Sequence, residues 1–99
     1  MAIIKKRLGG HMQFVHSREY LSEGDVVVVE CTHQCNVRLT DDSNFSKFKS
    51  GAAHRHYGGF YKMLPARIVV PRTGNWNITI DLGGGTGQYR YSINILKQS

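Results

Sequence analysis

The chain reads as an all-β domain: a single β-sandwich, jelly-roll-like, of about seven or eight antiparallel strands with one short helix. Three observations predict this. Apolar residues alternate with polar ones in short runs, the period of a half-buried strand. Turn-forming residues separate the runs at close intervals. Only one stretch carries helical spacing instead. The 99 residues make one domain, long enough to bury roughly two-thirds of its unfolded surface around a single core.

The runs, in order, are "MQFVH" (12–16), "DVVVVEC" (25–31), "CNVRLT" (35–40), "AHRHY" (53–57), "FYKM" (60–63), "ARIVV" (66–70), "WNITIDL" (76–82) and "QYRYSINIL" (88–96). Turn signals fall at Ser22–Gly24, Gly58–Gly59, Pro71–Gly74 and Gly83–Gly87. Residues 1–11 read as a loose basic tail, and "GGHM" before Gln13 resembles an expression remnant or an upstream alternative start. The helix is expected over 43–50 within "DSNFSKFKSG" (42–51). Asp42 or Ser43 can cap it, Phe45 and Phe48 share a face, and Gly51 can end it.

Three hairpins follow from pairing the runs. Opposing Leu82 with Tyr89 sets Ile80–Tyr91, Ile78–Ile93 and Trp76–Ile95 on one face, and Asp81–Arg90, Thr79–Ser92 and Asn77–Asn94 on the other. Opposing Cys31 with Cys35 sets Val29 against Val37 and Val27 against Leu39. A turn at Gly58–Gly59 sets Tyr57 against Phe60 and Arg55 against Lys62, with His56–Tyr61 and His54–Met63 on the opposite face. Directly opposed residues share a face, so each register is tested by how well it sorts apolar from polar.

The stretch "DLGGGTGQYRY" invites a nucleotide-binding reading. A phosphate loop needs a helix after it, with free N–H groups aimed at the anion. Here a Tyr-Arg-Tyr strand follows, there is no Gly-Lys-Ser/Thr ending, and the spacing is not that of a dinucleotide fingerprint. The glycines are expected to supply positive φ in a hairpin connection over 83–87.

Metal and catalytic patterns are thin. Cys31, His33 and Cys35 supply three zinc ligands at best, and the register sends both sulfurs toward the core. A disulfide between them is geometrically conceivable, although a cytosolic chain keeps its thiols reduced. His54 and His56 share a strand face with no carboxylate beside them in sequence, so a metal site there is the least favoured reading. "DDSN" (41–44) lacks the glycine and distal acid of a calcium loop and suits a helix cap. No Ser-His-Asp or Cys-His arrangement can be picked out, and Asp41, Asp42 and Asp81 form no obvious acid–base pair, so the chain leans away from enzymes. No cofactor is expected.

The net charge is +6, from 13 basic and 7 acidic residues. It favours anionic partners without naming one. Lys5, Lys6 and Arg7 belong to the tail, and any nucleic-acid affinity is expected to be weak and to come from them. No apolar run approaches the ~20 residues of a membrane span, and no secretory signal is evident, so a cytoplasmic location without membrane contact is expected.

"MQFVHSREYLSEGDVVVV", "CNVRLTDDSNFSKFK", "HYGG" and "PARIVVPRTGNWNITIDLGGGTG" together resemble a bacterial family known only as domain of unknown function number 1883. The resemblance runs from Met12 to about Leu96 and leaves the tail outside. It implies a small β-sandwich, found alone or fused ahead of a Toll/interleukin-1-receptor-like domain, serving as an accessory, targeting or sensing unit. It brings no activity, cofactor or catalytic residue.

The functional reading is therefore a non-enzymatic recognition module that binds a protein or small ligand through an aromatic and basic surface at 45–62. Its candidate residues are Phe48, Lys49, Arg55, Tyr57, Phe60 and Lys62. The alternative is a nucleic-acid or anion binder on the same surface, and a second alternative is a small metal-dependent enzyme on His54 and His56. Surface shape separates two of these: a concave, aromatic-lined pocket suits a small ligand, and a flat patch suits a protein.

Overall fold

The computed structural model describes residues 4–8, 12–83 and 89–98, with side chains from Phe14 onward. In chain order it contains β1 (Ile4–Leu8), β2 (Met12–Leu21), β3 (Val26–Cys31), β4 (Cys35–Asp41), α1 (Asp42–Ser50), β5 (Tyr57–Tyr61), β6 (Ala66–Val69), β7 (Gly74–Asp81) and β8 (Tyr91–Leu96). They form two antiparallel sheets, one of five strands in the order β1-β2-β7-β4-β5 and one of three in the order β6-β3-β8. The expected all-β sandwich with one short helix is what the chain adopts. Five and three strands replace the four and four of a symmetric jelly roll.

The apolar positions of both sheets meet in one core. Across the large sheet the inward rows are Val15–Ile80–Val37 and Ser17–Ile78–Leu39–Tyr57. From the small sheet come Val27 and Val29 with Ile68, Ala66 and Ile93. Part of the outward face of the large sheet is covered by α1 instead of solvated. Phe45 and Phe48 of α1 pack edge-on against Phe14, at ring separations of 6.2 and 5.3 Å. Beneath and beside them lies a polar layer: His16 Nε2 sits 2.8 Å from Asn77 Oδ1, and Asn77 Nδ2 donates to the Asp42 carboxylate at 2.8 Å. Buried Asp81 accepts from Arg38 at 2.7 Å and Asn36 at 3.0 Å.

The helix obeys its end signals. Asp41 is the N-cap, accepting from the Asn44 backbone N–H at 2.8 Å, one residue earlier than expected. Gly51 closes it in the left-handed conformation at φ 80°.

None of the three expected hairpins forms. β7 pairs with β2 and β4, whereas β8 pairs with β3 in the other sheet. The segment after Gly83 therefore connects the two sheets, and Asp81 pairs with Arg38, not Arg90. Most of the glycine loop lies outside the described residues, and a strand follows it, not a helix. β3 and β4 likewise sit in opposite sheets, so Cys31 and Cys35 mark a corner of the sandwich. The physical reason is common to both. Alternation determines which face of a strand is apolar, and both sheets offer an apolar face to the same core.

The third hairpin fails differently. Residues 57–61 are one continuous strand, β5, paired along β4 with Gly58 and Gly59 inside it. Gly58 has φ +100°, and a Cβ there would collide with the Val37 carbonyl oxygen and with Ile68 Cδ1. The glycine pair permits close backbone packing and makes no turn. Residues 52–56 are irregular, so Arg55 does not oppose Lys62 and the two histidines do not lie on a strand. Residues 4–8, read as part of a loose tail, form β1 along the outer edge of β2.

Candidate functional site

β4 runs on to Asp41, but β5 begins only at Tyr57, opposite Leu39. Beside Thr40 and Asp41 the sheet edge is thus left without a neighbour on one side. The irregular segment after α1 folds back across this gap. Its backbone is held there by the Arg55 N–H, which donates to Asn44 Oδ1 at 2.9 Å. The result is a cleft of about 570 Å³. Tyr57 and Trp76 form its aromatic wall, and His54, Arg55, His56 and Arg72 surround them.

The far wall is rigid. Trp76 is buried and lies edge-on to Tyr57, with ring centroids 6.0 Å apart. Its indole N–H donates to the Arg72 carbonyl at 2.9 Å, and the Arg72 guanidinium lies 4.8 Å from the indole ring. Arg72 in turn donates to Asp41 at 2.9 Å. The Asn44 backbone N–H, helped by Arg72, holds the Asp41 carboxyl below the usual carboxylate range. The acid of the cleft is thus committed to the helix cap and to Arg72.

The near wall is less committed. The Arg55 side chain is exposed and has no hydrogen-bond or ion-pair partner among the described residues. His54 Nδ1 is shut off from solvent and likewise has no hydrogen-bond partner among them. The His54 and His56 rings are 5.2 Å apart. Burial, then the nearby Arg38 and His54, pushes the His56 imidazole below its ordinary pKa, which favours its neutral form.

The six residues expected at a binding surface separate into two groups. Arg55 and Tyr57 line the cleft. Phe48 is buried between α1 and the sheet, 5.3 Å from Phe14 and 5.5 Å from the Arg38 guanidinium, so it belongs to the packing of the helix. Lys49 is exposed on α1 with its ammonium 4.8 Å from the Phe45 ring. Phe60 is exposed on the outward face of β5 opposite Asn36, and Lys62 follows that strand. His54 and His56 do come together, but no group of three His, Cys, Asp or Glu side chains that could hold a metal occurs among the described residues. Arg72, Trp76, Asp41 and Asn44 were not foreseen. Only the turn signal at Pro71–Gly74 hinted that Arg72 would stand at an end of the sandwich.

The fold and the cleft define a class: a small helix-covered β-sandwich with a basic, aromatic-lined recess at one sheet edge. The chain belongs to the family described as "Domain of unknown function (DUF1883)", whose family model matches residues 12–99. The match begins at β2, so β1 lies outside it. No curated protein and no solved structure matches the chain. Among the described residues, no helix is long and apolar enough to cross a membrane.

Proposed function

We propose that this domain is a non-enzymatic recognition module whose cleft receives a small organic anion with a flat or apolar face. The observation that carries the reading is a concave recess combining Arg55, a cation with no ion-pair partner among the described residues, with an aromatic wall of Tyr57 and Trp76. Among arginine and carboxylate side chains, Arg55 and Arg72 against Asp41 leave the lining one positive charge in excess. A carboxylate or phosphate group meets Arg55, and Tyr57 offers its half-exposed ring to the rest of the ligand. The concavity favours a small ligand over a protein surface. Neither cysteine lines the cleft, and its one carboxylate, Asp41, is committed to the helix cap and to Arg72, which leaves His54 and His56 as the only candidates for a base there.

Trp76 is the only tryptophan, so its fluorescence reports on the cleft directly. Titration with benzoate, inorganic phosphate and neutral methyl glucoside is the test. Benzoate is expected to shift the signal at the lowest concentration, phosphate at a higher one, and the glucoside not at all. Arg55→Ala is expected to weaken benzoate binding about tenfold, the order of one charge-assisted contact. Equal responses to the glucoside and benzoate, or binding indifferent to Arg55, would refute the reading.

A further inference from the structure

We propose that Cys31 and Cys35 form a reversible intramolecular disulfide, making the β3–β4 corner an oxidation site for hydroperoxides. The two residues end β3 and begin β4, in opposite sheets, with only Thr32, His33 and Gln34 between them. Both side chains face the same apolar core, Cys35 within it and Cys31 packed against its margin. The corner is pinned by the Thr32 N–H to the Arg90 carbonyl at 2.9 Å and by the Arg90 N–H to the Thr32 hydroxyl at 3.0 Å.

Access is unequal. Cys35 is fully buried in the core. Cys31 is half-buried and lines a second surface recess of about 270 Å³ with Glu30, Thr32, Arg90, Tyr91 and Ser92. An oxidant therefore meets Cys31 first. The Cys31 sulfur attacks one oxygen of hydrogen peroxide, the O–O bond breaks, and the hydroxide released leaves as water with the thiol proton. The sulfenic acid formed is then attacked by the Cys35 sulfur. The S–O bond breaks, and its OH leaves as a second water with the Cys35 proton. The pair loses two electrons, the peroxide gains them, and one S–S bond replaces two S–H bonds.

Burial, reinforced by Cys31, pushes the Cys35 thiol up to about 12. Closure is accordingly slow near neutral pH and accelerates with rising pH. Reduction is slow as well, because attack at the accessible Cys31 sulfur must expel Cys35, a poor leaving group at that pKa.

The test is mass spectrometry of the whole chain after hydrogen peroxide treatment, with alkylation of remaining thiols under denaturing conditions. The expected product is a monomer lighter by two hydrogens that takes up no alkylating agent and recovers both thiols in dithiothreitol. With Cys35→Ala, a sulfenic acid at Cys31 is expected to persist long enough for trapping by dimedone. A wild-type product carrying two or three added oxygens at Cys31, with Cys35 still alkylated, would overturn the proposal. So would a disulfide found only between chains. Both contrary outcomes are read from the wild-type protein, independently of how well the variant folds.

Discussion

Asp25 is fully buried, yet it is well satisfied. It accepts from Lys97 Nζ at 2.6 Å and from the backbone N–H groups of Ser22 and Gln98, each at 2.9 Å. These bonds tie the end of β8 to the turn between β2 and β3. The Lys97 hydrogen bond first, then the Gln98 and Ser22 N–H groups, lower its pKa from 3.8 to about 2, against the opposing effect of burial. A carboxylate depressed in the folded state stabilises the fold fully above its unfolded pKa. That contribution is lost as pH falls from 3.8 toward about 2. Asp42, held down to about 2 mainly by Arg18, falls in the same window, so a difference measurement is needed. Asp25→Asn is expected to lower the urea midpoint near neutral pH and to converge with wild type as pH falls through that window. Parallel curves would show that Asp25 is not the source.

At the scale of elements, β5 makes the sharpest demand on its sequence. Gly58→Ala places a side chain at φ +100° against the Val37 carbonyl. The expected loss is about 1–3 kcal/mol in urea unfolding; an unchanged midpoint would mean that the strand relaxes around it. β1 makes a different demand. Lys5, Lys6 and Arg7 lie on a strand paired to β2, so deleting residues 1–11 removes charge and also bares an edge. The cleaner experiment replaces the three with glutamine. If weak oligonucleotide binding belongs to them, the substitution abolishes it, and the wild-type salt slope is at most about 3. Retained binding with an unchanged slope would move that affinity elsewhere on the domain.

Most strands and the helix were readable because alternation and capping are local properties; the irregular 52–56, read as a strand, and β1, read as tail, were not. Val27 and Val29, Ile78 and Ile80, and the pair Phe45 and Phe48 all face the apolar interiors that their spacing predicted. Partners were not readable. The register that sorted β7 against β8 without a fault is absent, since β7 has both edges occupied by β2 and β4. The candidate site shows the same limit. Arg55 and Tyr57 were chosen from one segment, but Arg72 and Trp76 reach the cleft from another, and only the interrupted edge of β4 brings them together.

For the molecule as a whole, the family match fixes membership and the sandwich fixes shape, and the cleft carries the claim about function. Amide NMR mapping of the uniformly labelled protein, titrated with benzoate, tests that claim most directly. The account predicts saturable shifts concentrated at 54–57 and at Arg72 and Trp76, weakened in Arg55→Ala, with the β6-β3-β8 sheet unaffected. Shifts centred on Phe60 and Lys62, or on the outward face of the small sheet, would contradict it.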